Sequence, residues 1–217
     1  MEKISIARRP LLSLTAVALL TMPFALEAAS AQTADVSDAT TPVRRLEGAL
    51  LAVMKSGRQT AFSQRFAMLA PVVDETFDLS AVLQAAIGLG WATLPPDQMA
   101  SLQAAFRRYT ISSYVSNFDD YSGQTFRISP NVRSVGNGRV VVQSYIVPKD
   151  DTPKELSYVM KQVAGAWRAV DVLADGSISQ VAVQRSDFRS LLVRGGAPAL
   201  LGSLQRKVSD LSGGALA

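Results

Sequence analysis

The sequence predicts an α+β fold: helices, then a curved antiparallel four-stranded sheet, then helices again, with the covered sheet face enclosing an apolar cavity. Three observations carry this. Apolar residues recur every three or four positions from Val43 to Phe118. Between Tyr121 and Ala174 they alternate with polar ones in short runs separated by Gly-containing turns. From Val183 onward the helical period returns.

The elements follow in order. Residues 32–42 are small and polar, an expected flexible lead-in to a domain spanning 43–211. Val43, Leu46, Leu50 and Met54 form the stripe of a first helix that stops at Gly57, and Phe62, Phe66, Leu69 and Val73 form a second. Asp78 is the expected N-cap of a third helix closed by Gly88. Thr93 and the Pro95-Pro96-Asp97 turn open a long fourth helix carrying Met99, Leu102, Phe106 and Tyr109 on to Tyr114 and Phe118.

At Tyr121-Ser122-Gly123 the period changes. Phe126 and Ile128 alternate with Thr125, Arg127 and Ser129, and Gly136-Asn137-Gly138 signals a hairpin. The returning strand has Val140, Val142 and Ile146 on one face and Val141, Tyr145 and Val147 on the other. Both faces are apolar, so the strand is either covered twice or covered once and turned toward a cavity. Leu156, Tyr158 and Met160 mark a third strand, and Ala164-Gly165 turns it into a fourth, WRAVDVL. After Asp175-Gly176 two helices are expected, one with Val183, Phe188, Leu191 and Leu192, the other from Ala197 to Leu211. A Gly-rich tail, 212–217, is expected to be flexible.

The first 31 residues read as an export signal. Lys3, Arg8 and Arg9 precede an apolar run from Leu11 to Leu26, and Ala29-Ser30-Ala31 suits a signal peptidase. The run is shorter than the ~20 residues of a membrane span and Pro23 interrupts it, so cleavage after Ala31 is preferred to a retained anchor. Arg8-Arg9 alone, followed by Pro10, does not make a twin-arginine signal. The expected location is the periplasm.

The chain contains no cysteine and no histidine. Disulfides and thiol chemistry are thereby excluded, together with most hydrolase triads and zinc sites. The net charge of +4 is not concentrated in one block, and Arg44-Arg45 and Arg107-Arg108 lie on helical stretches as solvated faces. No basic-aromatic platform for nucleic acid is present. Asp119-Asp120 and Asp150-Asp151 lack a calcium-loop pattern, Gly88-Leu89-Gly90 lacks the third glycine of a dinucleotide loop, and no Gly-x-Ser-x-Gly elbow occurs. Neither a metal nor a cofactor is expected.

Asp171, inside an apolar strand, is the acid that needs explaining. An unpaired buried carboxylate costs several kcal/mol, so it requires a partner. Arg185, on the helix after the Asp-Gly turn, is the expected one, and the Asp171–Arg185 pair would lock strand to helix.

From Phe77-Asp78 through Gly88, Trp91, the Pro-x-Gln helix start and Phe106 to Tyr121-Ser122-Gly123, the sequence resembles the periplasmic lipid-carrier family typified by MlaC, also called toluene-tolerance proteins. WRAVDVLADGSIS resembles that family's Trp-x-Val-x-Asp-Val strand and Gly-x-Ser turn, and Arg185 and Phe188 match its Arg-x-x-Phe helix. The likeness runs from about Val43 to Leu211, and the segments ISQVAVQRSDFRSLL and LQRKVSDLSGG are most similar to the hopanoid-associated, HpnM-like branch. Val183 departs from the aromatic often found before the Arg.

The resemblance implies a cone-shaped sheet of the nuclear-transport-factor type around an apolar cavity, no catalytic residues, and a phospholipid or hopanoid as cargo. It also implies transient membrane contact, with a transporter-associated lipid-binding protein at the inner membrane and a lipoprotein complex at the outer membrane as partners. On that basis Phe77, Leu83, Trp91, Phe106, Val142, Tyr145, Trp167 and Val172 are the candidate lipid-binding walls. Two other readings compete: an envelope interaction or assembly module that binds no lipid, and a small cavity enzyme built on a dyad such as Asp171 with Tyr145.

Overall fold

The structure, a computed structural model, describes residues 38–216. The expected signal segment and residues 32–37 of the lead-in fall outside the described residues. Helix α1 (Thr40–Ser56) already runs three residues before Val43, and Ala39 ahead of it is fully buried, so the end of the lead-in is packed structure. Its stripe of Val43, Leu46, Leu50 and Val53 is fully buried, and the chain turns at Gly57 with φ 64°.

Helix α2 (Phe62–Thr76) lies against α1. Asp78 caps α3 (Leu79–Ile87) as the sequence predicts, its carboxylate accepting from the Ala81 amide at 2.9 Å. A short 3-10 segment (Gly88–Thr93) leads to α4 (Pro96–Asn117), with Pro at its first position. Between α2 and α3 the chain is extended, and Phe77 bridges Ala169 while the Asp78 amide donates to the Ala169 carbonyl at 3.0 Å. This short pairing ties the helical layer to the sheet.

The sheet has five strands, not four, in the order β1 (Thr125–Gly136), β2 (Arg139–Val147), β3 (Lys154–Val163), β4 (Ala166–Ala174), β5 (Ile178–Ser179), every neighbouring pair antiparallel. The extra strand arises at Asp175-Gly176. Both residues take positive φ (49° and 70°), and with Ser177 they make a three-residue turn, so the chain runs back along β4 for two residues before becoming helical. Ala164-Gly165 alone turns β3 into β4 (φ 50° and 81°). A register shift in β4 opposite Val159 and Met160 bends the strand.

The two final helices run as one element, α5 (Gln180–Ser212), broken by non-helical backbone at Gly195 and Gly196. The tail does not dangle: the Leu216 amide donates to the Ser212 hydroxyl, and the Arg108 guanidinium donates to the Leu216 carbonyl. No helix among the described residues is long and apolar enough to cross a membrane.

Buried apolar side chains form two clusters. One joins α1 and α2 to the sheet through Leu46, Leu50, Leu69, Ile111, Val142, Tyr158 and Met160. The other joins α3, α4 and α5 through Leu83, Leu102, Phe106, Phe188, Leu200 and Leu204. Helix α4 serves both, giving Ile111 and Val115 to the first and Leu102 and Phe106 to the second.

Candidate functional site

Between the two clusters lies a pocket of about 500 Å³, within the ~300–1,000 Å³ typical of small-ligand sites. Phe77, Leu79 and Val82 line it from the α2–α3 junction. Helix α4 contributes Phe106, Tyr109, Thr110, Ser113, Tyr114, Asn117 and Phe118, the sheet Ile146, Leu156, Asp171 and Val172, and the start of α5 Gln180, Val181 and Gln184.

Toward β2 and β3, α1 covers the sheet, and Val140, Val142, Tyr158 and Met160 are at most 5 % exposed. On the same sheet face, Ile146 and Leu156 farther along the strands, and Val172 beside Tyr158 on β4, are only half-buried. Aromatic rings form the opposite wall. Phe77 meets Tyr114 at 5.8 Å between centroids, Tyr114 stacks on Phe118 at 6.0 Å, and Phe106 stands near Tyr109 at 6.5 Å. Burial pushes the Tyr114 phenol well above its usual range, so it stays neutral.

The polar part of the lining is uncharged apart from Asp171. Thr110, Ser113 and Asn117 lie on α4 at helical spacing, and Gln180 and Gln184 lie one turn apart on α5. Among the described residues, no Lys or Arg lines the pocket. Another depression of similar volume, beside Asp74, Arg107 and Arg168, differs in kind: there Arg107 pairs with Asp74 at 2.6 Å, and Arg168 donates to the Asp74 carbonyl.

The partners of Asp171 do not include Arg185. Its carboxylate accepts from the Val172 amide (2.8 Å), the Val181 amide (3.1 Å) and the Ser179 hydroxyl (2.5 Å). Ser179 in turn accepts from the Ala182 amide, so the two side chains together satisfy free N–H groups at the start of α5. Arg185 donates through Nε and an Nη atom to the Ala85 carbonyl, joining α5 to α3. The Asp-Gly hairpin explains the difference, since it delivers Ser179 and the helix terminus, not the next helical turn, to Asp171.

Three of the eight expected wall residues line the pocket: Phe77, Phe106 and Val172. Leu83 is fully buried in the second cluster and Trp91 packs against it. Val142 is fully buried in the first cluster and Trp167 packs against that one. Tyr145 alternates with Ser144 and Ile146, so it falls on the outer face, where the Arg127 guanidinium lies 4.4 Å from its ring centroid. Tyr145 does not line the pocket, and the Asp171 carboxylate is taken up by Val172, Ser179 and Val181. No cluster of metal-ligating side chains occurs among the described residues.

One buried acid escaped the sequence reading. Glu47 on α1 is 5 % exposed and accepts from the Ser144 hydroxyl on β2. Burial pushes its carboxyl up to about 6, opposed by the Ser144 hydrogen bond and by Arg44. It meets β2 at Ser144, between Val142 and Ile146, and does not line the pocket.

The family described as MlaC protein matches residues 44–206 of this chain. Among solved structures, a phospholipid-binding protein from Ralstonia solanacearum, determined in complex with a phospholipid, is similar in fold, with a TM-score of 0.70 and 22 % sequence identity. The alignment covers 81 % of this chain and 99 % of that one.

Proposed function

The chain belongs to the MlaC family, and on that premise we propose that it is a periplasmic lipid carrier, holding the apolar part of a phospholipid or hopanoid in the pocket between α4, α5 and the sheet. The observation that carries this reading is the pocket itself: about 500 Å³, walled by five aromatic rings and by Ile146, Leu156 and Val172, with no Lys or Arg among the described residues that line it. Each methylene moved out of water contributes about 0.8 kcal/mol, so an acyl chain of ordinary length gains on the order of 10 kcal/mol in such an environment. Neutral side chains suffice for that task, which accords with a chain lacking His and Cys. A charged headgroup would stay at the mouth, because no Lys or Arg among the described residues of the lining could compensate its burial.

The family is one of carriers and not of enzymes, and the lining holds no general base except an Asp171 already engaged by three donors. In this reading the chain exchanges cargo with a lipid-binding component of an inner-membrane transporter and with a lipoprotein complex at the outer membrane, touching membranes transiently. The export signal ending near Ala31 would deliver it there. The test is native mass spectrometry of the protein recovered from its own cell envelope, followed by lipid extraction of the same sample. Lipid at near one per chain is expected, and its mass decides between phospholipid and hopanoid. A chain that is empty, and remains empty after incubation with membranes, would favour the interaction module.

A further inference from the structure

The depression of about 520 Å³ beside Asp74 shares Phe77 and Leu79 with the apolar pocket, and it holds two guanidinium groups, which the described lining of that pocket lacks. Arg107 on α4 donates through Nε and Nη2 to the Asp74 carboxylate, at 2.7 and 2.6 Å. Arg168 on β4 donates through Nη1 to the Asp74 and Glu75 carbonyls, at 2.6 and 3.1 Å. A guanidinium carries five N–H groups, so with two engaged each arginine keeps three to offer a ligand. Both are held by Asp74, one through its side chain and one through its backbone, which brings the two groups together and fixes their direction. Ser80 on α3 borders the same space and accepts from the Gln84 and Gln103 amides at 3.0 Å each, so its own O–H is left to donate. The two carboxylates nearby are engaged, Asp74 by Arg107 and Asp78 by the Ala81 amide. All three donor side chains are partly open to solvent.

We propose that Arg107 and Arg168, with the Ser80 hydroxyl, form a subsite for a phosphate group. Guanidinium groups already oriented by other bonds match phosphate oxygens with charge-assisted hydrogen bonds and lose little freedom on binding. The source of the phosphate rests on the lipid-carrying reading: it is the headgroup of a lipid whose acyl chains lie in the pocket beyond Phe77 and Leu79. The headgroup thereby gains a place outside the apolar pocket, where its charge is met. A hopanoid without phosphate gains nothing from this subsite, so it favours phospholipid cargo. A soluble phosphate ester would present the same chemistry without the chains.

The test titrates the delipidated chain calorimetrically with dihexanoyl phosphatidic acid, with dihexanoylglycerol, which lacks only the phosphate, and with inorganic phosphate. Phosphatidic acid should bind about tenfold more tightly than dihexanoylglycerol, the discrimination of a charge-assisted hydrogen bond, and inorganic phosphate more weakly than either. In Asp74→Asn/Arg107→Gln/Arg168→Gln the ratio of the two lipids should fall to near one while dihexanoylglycerol still binds. Arg185→Gln removes an arginine that also holds a carbonyl, outside both cavities, and should keep the ratio. Phenylglyoxal labelling of the unaltered chain needs no substitution: phosphatidic acid should protect Arg107 and Arg168 and leave Arg185 reactive. Equal affinity for the two lipids, or reactive Arg107 and Arg168 under saturating phosphatidic acid, would overturn the subsite and leave the apolar pocket standing. Inorganic phosphate that binds as tightly as phosphatidic acid and protects both arginines would keep the subsite and assign it to a soluble phosphate ester. If neither lipid binds, the lipid-carrying reading falls, and the subsite falls with it unless inorganic phosphate still protects both arginines.

Discussion

The two ends of one sheet face have opposite fates. At one end Val140, Val142 and Met160 disappear beneath α1 and α2, and Leu46, Leu50 and Val53 fill the space between them without exposure. At the other, Ile146 and Leu156 stand half-buried around open volume, as does Val172 at the side on β4, facing aromatic rings of α4 across the pocket. Composition does not distinguish the ends, since both are aliphatic on the sheet side. The distinction comes from the helices: α1 is long enough to seal the first end, and α4 bridges two separate clusters over the second. An apolar strand residue therefore becomes core or pocket wall according to what crosses over it.

The comparison can be broken first by truncation. Leu50→Ala at the sealed end should cost about 2–5 kcal/mol in urea unfolding, because the site is packed on all sides. Ile146→Ala should cost only about 1 kcal/mol, since that side chain already borders open space. Equal costs would mean that the two ends are packed alike.

Enlargement should show the reverse asymmetry. Val142→Trp overpacks the sealed end and should destabilise by about 1–3 kcal/mol or more. Ile146→Trp should leave the unfolding midpoint nearly unchanged while abolishing lipid loading, read as loss of extractable lipid from the purified chain. Retained loading in folded Ile146→Trp would contradict the pocket assignment.

Glu47 sharpens the contrast through pH. Its carboxyl is raised from 4.5 to about 6 in the folded state, so between those values the folded chain binds more protons than the unfolded one. Stability should therefore fall as pH rises from about 4.5 to about 6, by on the order of 2 kcal/mol, and then level. Glu47→Gln should flatten that dependence and be the more stable protein near neutral pH, as urea titrations at several pH values would show. A modest effect is expected at the start of α5: Asp171→Ala removes the acceptor for Val181 and Ser179 and should cost about 1–2 kcal/mol, measured by chemical denaturation.

Much of the fold is legible in the sequence because its signals are local. The stripe of α1, the Asp78 cap, the Pro-opened α4 and the Gly136-Asn137-Gly138 hairpin depend on neighbours a few residues away. The fifth strand was hidden because Ile178–Ser179 is too short to show alternation, although Asp175-Gly176 is itself a hairpin signal. The site is less legible. Val142 and Ile146 share a strand face, and only the placement of α1 separates them. Leu83, Trp91 and Trp167 attract notice by size, yet they pack against the clusters instead. Thr110, Ser113 and Asn117 were the available clue, a polar stripe set among the aromatics of α4. Asp171 was expected to meet Arg185, whereas its carboxylate accepts from Ser179 and Val181, partners that depend on that short hairpin.

The most direct test is photolabelling with a phospholipid that carries a diazirine on an acyl chain, with the labelled residues mapped by peptide mass spectrometry. Label confined to the walls of the pocket, at Tyr109, Ser113 or Asn117 on α4, Ile146 or Leu156 on the sheet and Val181 on α5, is the predicted result. Label on the outer sheet face around Tyr145 and Arg127, or none above background, would contradict the account.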